Sequence, residues 1–266
     1  MKQFYKYQGA GNDFILFDHL KGHVLEDASQ ERIAQLCDRR FGIGADGLML
    51  LEPHEEYDFY MRYFNSDGRP SSMCGNGGRC IVAFAQRLGY VDEEVHFLAV
   101  DGPHRAKVIK PNWVELEMHD VTEIDSVLSG YFLDTGSPHL VQWRDEIETL
   151  DTFTEGRALR NNDQFSPGGT NVNFVCGSAE ALQIATYERG VEAETLACGT
   201  GVTAAAIVAV QRSSQQGQFE IPVQTKGGDL AVKLHYDGQR FSNIWLCGPA
   251  DFVFQGQLLE QSYSES

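Results

Sequence analysis

Long apolar runs are missing from this chain of 266 residues. A helix that spans a membrane needs about 18 or more consecutive apolar residues, and no segment reaches that length. The N-terminal segment Met1–Gln8 also lacks the apolar core of a secretory signal. These absences predict a cytoplasmic protein that has no membrane partner.

Positive charge is scarce. Lys and Arg number 21 against 38 Asp and Glu, which gives a formal net charge of −17. Proteins that bind nucleic acid neutralise its phosphates with Lys and Arg, and anionic membrane surfaces attract the same side chains. The charge balance therefore argues against a nucleic-acid partner and against docking on a membrane surface. Its simplest interpretation is solubility.

Cysteines at zinc-ligand spacing are also absent. The chain has no C-x2-C pair, and no pair of His residues follows at the spacing of a zinc finger. We therefore expect no metal site, and in the cytoplasm we expect reduced thiols rather than a disulfide framework. The six cysteines are Cys37, Cys74, Cys80, Cys176, Cys198 and Cys247.

Two of these cysteines each open a glycine-rich segment that runs into small, helix-forming residues. The segments are Met73–Arg79 and Ala197–Thr203. A thiol at a helix N-terminus lies where backbone N–H groups and the helix dipole favour the thiolate. A single Cys-Gly pair is more often structural, because free Cys is commonly buried. Two matching pairs favour catalysis, with Cys74 and Cys198 as base and acid on opposite faces of one carbon.

Several short segments recur at a nearly constant offset of 123 to 125 residues. Four pairs in the same order indicate an internal duplication. We expect two similar domains facing each other across a cleft, one formed by residues 1–122 joined by 253–266, the other by residues 123–252. The pairs are Gly11–Phe14 with Gly136–His139, Gly44–Gly47 with Gly169–Val172, Phe64–Asp67 with Tyr187–Gly190, and Cys74 with Cys198.

Short strand patterns outnumber helical ones in each half, which predicts an α+β fold. Each domain is expected to be a curved, mostly antiparallel sheet around a central helix. Helices are predicted over Ser29–Arg39, Asn76–Leu88, Leu150–Leu159 and Thr200–Arg212. Strands are predicted over Phe14–Phe17, Leu48–Leu51, Asp58–Phe64, Val95–Ala99, Arg105–Ile109, Trp113–Met118, Phe174–Val175, Gln183–Glu188, Ile221–Gln224, Leu230–Leu234, Phe241–Leu246 and Phe252–Leu258.

The first turns of the two glycine-rich helices offer a site for an anion. N–H groups in a first turn have no partner within the helix, so two such turns can clamp a carboxylate. A clamped carboxylate stabilises the charge that develops when the neighbouring carbon loses its proton. The residues of these turns are Gly75 and Asn76 in one helix and Gly199 and Thr200 in the other.

Other polar residues suit a ligand that carries both charges. Glu188 and Arg189 place an acceptor for an ammonium group beside a donor for a carboxylate, although a solvated surface pair explains them equally well. His139 is as consistent with a structural role as with a ligand contact. Asn residues commonly serve turns, but as a group they offer uncharged donors and acceptors; they are Asn12, Asn65, Asn76 and Asn171.

A dinucleotide site is a weaker alternative. Gly42–Gly47 matches G-x-G-x-x-G, and Gly199–Ala204 matches the variant that ends in Ala. The fingerprint requires a strand before the glycines and a helix after them. Gly42–Gly47 instead follows a helical pattern and precedes a strand pattern, which argues against this function.

Taken in order, these segments resemble the diaminopimelate epimerase family. The resemblance covers nearly the whole chain, and the two Cys-Gly segments together with Gly-Asn-Asp-Phe are specific as a set. The matching runs are Gly9–Phe14, Phe41–Gly47, Phe64–Gly68, Cys74–Cys80, Gly169–Asn171, Glu188–Gly190 and Ala197–Gly201.

The resemblance implies a cofactor-independent isomerase that interconverts L,L- and meso-2,6-diaminopimelate for lysine and peptidoglycan precursor synthesis. It implies no pyridoxal phosphate, no other cofactor, and a fold of two pseudo-symmetric domains. Carried over by position, Cys74 and Cys198 are the acid/base pair. The turn residues Gly75, Asn76, Gly199 and Thr200 hold the reacting carboxylate, and Asn12, Asn65, Asn171, Glu188 and Arg189 contact the rest of the amino-acid substrate.

Two positions depart from the family pattern. Gly47 stands where many members have Gln, and Ser137 stands where they have Asn. Ser137 can still hydrogen-bond to a substrate, whereas Gly47 offers no side chain. The assembly is left open, with a homodimer as one option.

Rival functions remain at this point. A proline or hydroxyproline racemase and a phenazine-biosynthesis isomerase share the expected fold, but the latter lacks the cysteine pair. Glu188-Arg189 and the Asn set favour an acyclic substrate with a second charged end over a proline ring. A non-catalytic binding module would bind a ligand without exchanging its protons with solvent.

Overall fold

The computed structural model describes residues 2–259, and the chain divides into two compact units. The first unit runs up to Val114 and takes up the chain again from Ala250, and Glu115–Pro249 forms the second unit. None of the helices among the described residues is long and apolar enough to cross a membrane.

Strands dominate the first unit. The strands are β1 (Lys2–Gly9), β2 (Asn12–Asp18), β3 (Gly47–Glu52), β4 (Phe59–Asn65), β5 (Glu94–Ala99), β6 (Gly102–Lys110) and, from the far end of the chain, β17 (Asp251–Leu258). Its helices are α1 (Gln30–Cys37) and α2 (Gly75–Arg87). The strand β7 (Trp113–Met118) covers the point where the chain passes from the first unit to the second.

The second unit has the same kinds of element. Its strands are β8 (Asp125–Val127), β9 (Gly130–Asp134), β10 (Pro138–Trp143), β11 (Asn171–Ser178), β12 (Ala181–Glu188), β13 (Ala193–Thr195), β14 (Gly217–Thr225), β15 (Gly228–Tyr236) and β16 (Phe241–Pro249). Its helices are α3 (Thr152–Arg160) and α4 (Gly199–Ser213), with a short 3-10 turn at Asp163–Phe165.

Strand pairing repeats from one unit to the other. In the first unit β1/β2, β3/β4 and β5/β6 are antiparallel, and β2/β3 and β4/β5 are parallel. In the second unit β9/β10, β11/β12 and β14/β15 are antiparallel, and β10/β11 and β12/β14 are parallel. The edge pair β1/β17 corresponds to β8/β9, both antiparallel. The same pairing sequence in two units identifies the fold as duplicated, and the α+β class is confirmed.

Each sheet wraps one helix on one of its faces. Helix α2 packs against β1, β2, β3, β6 and β17, while α4 packs against β9 to β12 and β14 to β16. Helix α4 is buried on every side from Gly201 to Val210, as expected for a helix enclosed by a sheet. The other face of the first sheet packs on α1, with Ile15, Leu48 and Phe64 against Ile33 and Leu36. The predicted central helices are therefore confirmed.

All four predicted helices form, within two residues at each end. Ser29 caps α1 as expected, because its hydroxyl accepts from the N–H of Arg32. The sequence patterns missed several strands, however: β1, β8, β9, β10 and β13. Of these, β10 opens on a proline after a glycine turn, a context more typical of a loop.

Candidate active site

Sheet register places the candidate residues at one edge of each sheet. Side chains two residues apart along a strand share a face, and pairing fixes which ones are neighbours across strands. On the face toward the central helix, Phe14, Gly47 and Asn65 form a row in the first unit, and His139, Asn171 and Glu188 form the matching row in the second. Register therefore aligns Gly47 with Asn171, so the pairing of Gly47 with Val172 inferred from sequence is wrong by one residue.

Cys74 is the N-cap residue of α2, in the first unit. Its backbone is extended, and its side chain does not cap the helix. The Cys74 thiol donates to Oδ1 of Asn12 at 3.6 Å, and Nδ2 of Asn76 donates to the same oxygen at 3.4 Å. Three residues predicted for the site from sequence thus lie together, on a helix start and the first residue of β2.

The orientation of the Asn12 amide is set by an ionic cluster behind it. Nδ2 of Asn12 donates to the carboxylate of Asp46 at 2.7 Å, which leaves Oδ1 directed at Cys74. Arg39 bridges Asp46 and Asp13, and Lys6 lies 2.7 Å from Asp13. Burial opposes ionisation of Asp13, but hydrogen bonds from Arg39 and Lys6 lower its pKa to about 2. Asp46 therefore accepts the hydrogen bond from Asn12 while Arg39 holds its carboxylate.

Arg79 was not predicted for the site, but its side chain contacts two of the predicted residues. The side chain is fully buried, one turn into α2. Its guanidinium donates to Oδ1 of Asn76 at 2.9 Å and to the carbonyl of Gly75 at 3.2 Å. Because those contacts orient Asn76, Arg79 is a positioning residue. The signal for it in the sequence was an Arg inside a run of small, buried residues.

Cys198 is the N-cap residue of α4, in the second unit, and is largely buried. Its sulfur lies 3.5 Å from Oγ1 of Thr200. Oγ1 of Thr200 is in turn 2.8 Å from Nε2 of His139, and Nδ1 of His139 is 2.9 Å from Nδ2 of Asn173. A chain of hydrogen bonds therefore connects the buried amide of Asn173 to the cysteine.

The donor and the acceptor can be assigned in both contacts of His139. Nδ2 of Asn173 also faces the carbonyl of Leu140 at 3.3 Å, which can only accept, so this atom is the amide nitrogen. Burial, aided by the charge of Arg189, lowers the pKa of His139 to about 3, and the ring is neutral. Nδ1 then accepts from Asn173, and Nε2–H donates to Thr200. The hydroxyl proton of Thr200 is not used in the contact with His139, so it can donate to the sulfur of Cys198 at 3.5 Å.

The two half-sites therefore treat their cysteines differently. Cys74 faces an amide oxygen, an acceptor that stabilises the protonated thiol. Cys198 faces a hydroxyl group that can donate to its sulfur, and a donor of this kind stabilises a thiolate. The sequence segments around the two cysteines are nearly symmetric and gave no basis for this distinction.

The Asn171 side chain contacts two of the other candidate residues of the second unit, Ser137 and Arg189. Its Nδ2 donates to Oγ of Ser137 and to the carbonyl of Pro138, both at 2.9 Å, and its Oδ1 accepts from the backbone N–H of Arg189 at 2.9 Å. The Arg189 guanidinium donates to Ser137 at 3.4 Å. Burial raises the pKa of Glu188, the last residue of β12. Ser137, Asn171, Glu188 and Arg189 are thus neighbours, as the hypothesis of a shared site requires.

The first glycine motif, Gly42–Gly47, has a structural task. Gly42 follows α1 and donates to Asp38, and the N–H groups of Ile43 and Gly44 donate to Leu36. Gly42 also has no room for a Cβ, which would lie 2.1 Å from the carbonyl oxygen of Gln35. These residues terminate a helix and lead into β3. The order of elements is the reverse of the one that a dinucleotide fingerprint requires.

Acid should destabilise the protein through His139. Its pKa is about 3 in the fold and about 6.5 in an unfolded chain, so the unfolded state binds the proton more tightly. Stability from this group is complete above pH 6.5 and falls by roughly 1.4 kcal/mol per pH unit below it, down to the folded pKa. Urea midpoints at pH 7 and pH 5 measure the loss. His139→Asn should lose less than the wild type; an equal loss contradicts the assignment.

Alanine at two corresponding glycines should have opposite effects. A Cβ on Gly201 would lie 2.3 Å from Oδ1 of Asn173, which is held in the hydrogen-bond chain. A Cβ on Gly77 would lie 3.3 Å from the flexible Met49 side chain and 3.5 Å from Met61 and Phe14. We expect Gly201→Ala to cost roughly 1–3 kcal/mol through overpacking. Gly77→Ala should be near neutral, since Ala also favours helix by about 1 kcal/mol. Thermal unfolding of both variants checks the difference.

Solved structures identify the class of fold. A phenazine biosynthesis protein of the PhzF family from Bacillus anthracis aligns over 97% of this chain and 98% of its own, with a TM-score of 0.67 and 13% identity. A probable proline racemase from Agrobacterium radiobacter aligns over 98% and 94%, with a TM-score of 0.67 and 14% identity. The chain has the duplicated α+β fold shared by these proteins.

Sequence comparison then identifies the family. The family model for diaminopimelate epimerase matches residues 4–122 and 131–253. A diaminopimelate epimerase from Flavobacterium psychrophilum is 46% identical over 94% of this chain and 98% of its own length. One from Chlorobaculum tepidum is 42% identical with the same coverage. The chain belongs to the diaminopimelate epimerase family, and it is accordingly an isomerase.

Proposed function

We propose that the protein interconverts L,L- and meso-2,6-diaminopimelate by moving a proton at one α-carbon, in lysine and peptidoglycan precursor synthesis. Family membership over nearly the whole chain supports this substrate. The observation that carries the chemistry is the duplicated half-site: each unit has a cysteine at the N-terminus of its central helix, with polar groups from the adjoining sheet edge. A small amino acid is the ligand that such groups suit.

In this proposal Cys198 and Cys74 act on one α-carbon, and each has a role set by its hydrogen-bond partner. In the resting form the thiolate of Cys198, which accepts a hydrogen bond from the Thr200 hydroxyl, removes the α-proton. The thiol of Cys74, which donates to Asn12, delivers a proton to the opposite face. The reverse reaction starts with the two protonation states exchanged. Each thiol thereby serves as acid in one direction and base in the other.

Because the α-proton is only weakly acidic, its removal depends on electrostatic stabilisation and on positioning of the reacting groups. The first-turn N–H groups of α2 and α4, at Gly75, Asn76, Gly199 and Thr200, are proposed to hold the carboxylate of the reacting centre. Donors aimed at the charge that develops there stabilise the transition state more than the ground state. The reaction so described needs no cofactor.

The remaining candidates complete the proposed substrate site. Glu188 and Arg189 are assigned to the charged groups of the amino acid, with Ser137 and His139 beside them. Asn12, Asn65 and Asn171 are assigned to the rest of the substrate. A cytoplasmic location and a homodimer stay predictions.

Stereoisomer analysis tests this function. Incubation of the purified protein with L,L-diaminopimelate should yield the meso isomer, resolved by chiral chromatography, until both are present at equilibrium. Proline and trans-4-hydroxyproline serve as competing substrates, since proteins named for them share the fold. Inversion of a proline with no change in diaminopimelate would overturn the proposed substrate.

A further inference from the structure

The two sheets differ at one place in the row of residues beside the central helix. Register aligns Gly47 of β3 with Asn171 of β11, and Tyr63 of β4 with Thr186 of β12. In the second unit, the row at the sheet edge (the outer row) has the long polar side chain of Asn171, and the next row along the strands (the inner row) has the short side chain of Thr186. In the first unit, the outer row has no side chain, at Gly47, and the inner row has Tyr63.

The Tyr63 ring fills the space that Gly47 leaves. A Cβ on Gly47 would lie 2.5 Å from Cε2 of Tyr63 and 2.9 Å from its hydroxyl oxygen. The hydroxyl end of the ring therefore lies over Gly47, in the outer row, rather than over its own position. The ring packs edge-on against Phe14 with centroids 6.0 Å apart, which fixes it on the face toward α2. Tyr63 is only 9% exposed, so its aromatic body is held by packing.

The outer row of the first unit is where Asn65 lies, directly opposite Gly47. Asn12, the first residue of β2, lies at the same edge and contacts Cys74. The phenol of Tyr63, which is directed over Gly47, is thus directed at the edge where Asn12 and Asn65 are proposed to bind the substrate. A rigid tyrosine can bring a hydroxyl to such an edge with little loss of conformational freedom, since it has two side-chain torsions.

We propose that the hydroxyl of Tyr63 contacts the substrate and determines specificity, donating a hydrogen bond to the carboxylate at the end of diaminopimelate that does not react. This inference rests on the proposed function. The reacting carboxylate is assigned to the helix turns, so the sheet-edge groups of the first unit are left for the other end. Tyr63 then supplies, from the inner row, a polar contact at the edge of the first sheet, where Gly47 has no side chain.

Kinetics of Tyr63→Phe test the contact, because the change removes only the hydroxyl. A lost hydrogen bond to a charged group should raise KM for L,L-diaminopimelate about tenfold or more, with kcat within about threefold of the wild type. The preference for diaminopimelate over L-lysine, which lacks the distal carboxylate, should narrow by a similar factor. The control is Tyr60→Phe, the same change on the same strand but on the opposite face of the sheet, which should leave both constants unchanged.

The outcomes are distinguishable. A Tyr63→Phe enzyme with wild-type KM and wild-type preference overturns the contact. A variant with reduced kcat and melting temperature but unchanged KM assigns Tyr63 to packing alone, which also overturns it. A wild-type protein that leaves L,L-diaminopimelate unchanged overturns the proposed function, and the contact with it.

Discussion

Cys74→Ala and Cys198→Ala should each abolish net epimerisation of diaminopimelate. With one thiol gone, the remaining group can still take and return a proton on its own face, but no group delivers one to the other face. We expect the rate of inversion to fall by on the order of 10³–10⁴-fold, the upper range for loss of a positioned acid or base. Chiral chromatography of the products measures inversion, and NMR in D₂O measures exchange without inversion.

The matched control is Cys176→Ala. Cys176 lies in β11, away from any helix N-terminus, and its thiol contacts only a Gln183 side-chain oxygen among the bonds described. Its replacement should leave inversion close to the wild-type rate. Substantial inversion by either Cys74→Ala or Cys198→Ala contradicts the two-base mechanism.

Thr200→Val should slow the reaction by about 10- to 100-fold. The change preserves the shape of the side chain and the backbone N–H, but it removes the hydroxyl that lies 3.5 Å from the sulfur of Cys198 and is proposed to donate to it. A hydrogen bond to a charged group contributes roughly 1.5–3 kcal/mol, so its loss should make the reactive thiolate correspondingly rarer. The measurement is kcat/KM for L,L-diaminopimelate.

Two further variants separate this effect from packing. Thr200→Ser retains a hydroxyl and should restore most of the rate. Thr203→Val makes the same change one turn later in α4, where the hydroxyl bonds to the carbonyl of Gly199, and it should have little effect on turnover. Equal rates for Thr200→Val and Thr200→Ser would show that the hydroxyl does not act on Cys198.

Much of the fold was predictable because the sequence contains an internal duplication. Four segment pairs at a nearly constant offset predicted two similar domains, and the excess of short strand patterns in each half predicted a sheet around a central helix. Strand β10 was not predictable, since Pro138 and the glycine turn before it are typical of loops. The one-residue error in aligning Gly47 has a different cause. Only hydrogen-bond register, which the sequence does not show, aligns Gly47 with Asn171.

The site was predictable as a set of residues but not as a network. Local motifs identified Cys74, Asn76, Cys198 and Thr200, because each lies at a helix start. The roles of Arg79 and Asn173 depend on contacts with side chains that other elements bring close. The proposed assignment of thiol and thiolate likewise depends on which atom of Asn12 faces Cys74, and that is decided by Asp46, 34 residues further along the chain.

Deuterium incorporation tests the central claim most directly. In D₂O, the wild-type protein should form meso-diaminopimelate that carries deuterium at the inverted carbon. L,L-diaminopimelate recovered early in the reaction should remain unlabelled, because the base that removes the proton is not the group that returns one. Mass spectrometry of the separated isomers gives both labels. Product that retains the original proton, or recovered L,L isomer labelled as fast as product forms, would contradict two thiols acting on opposite faces of one carbon.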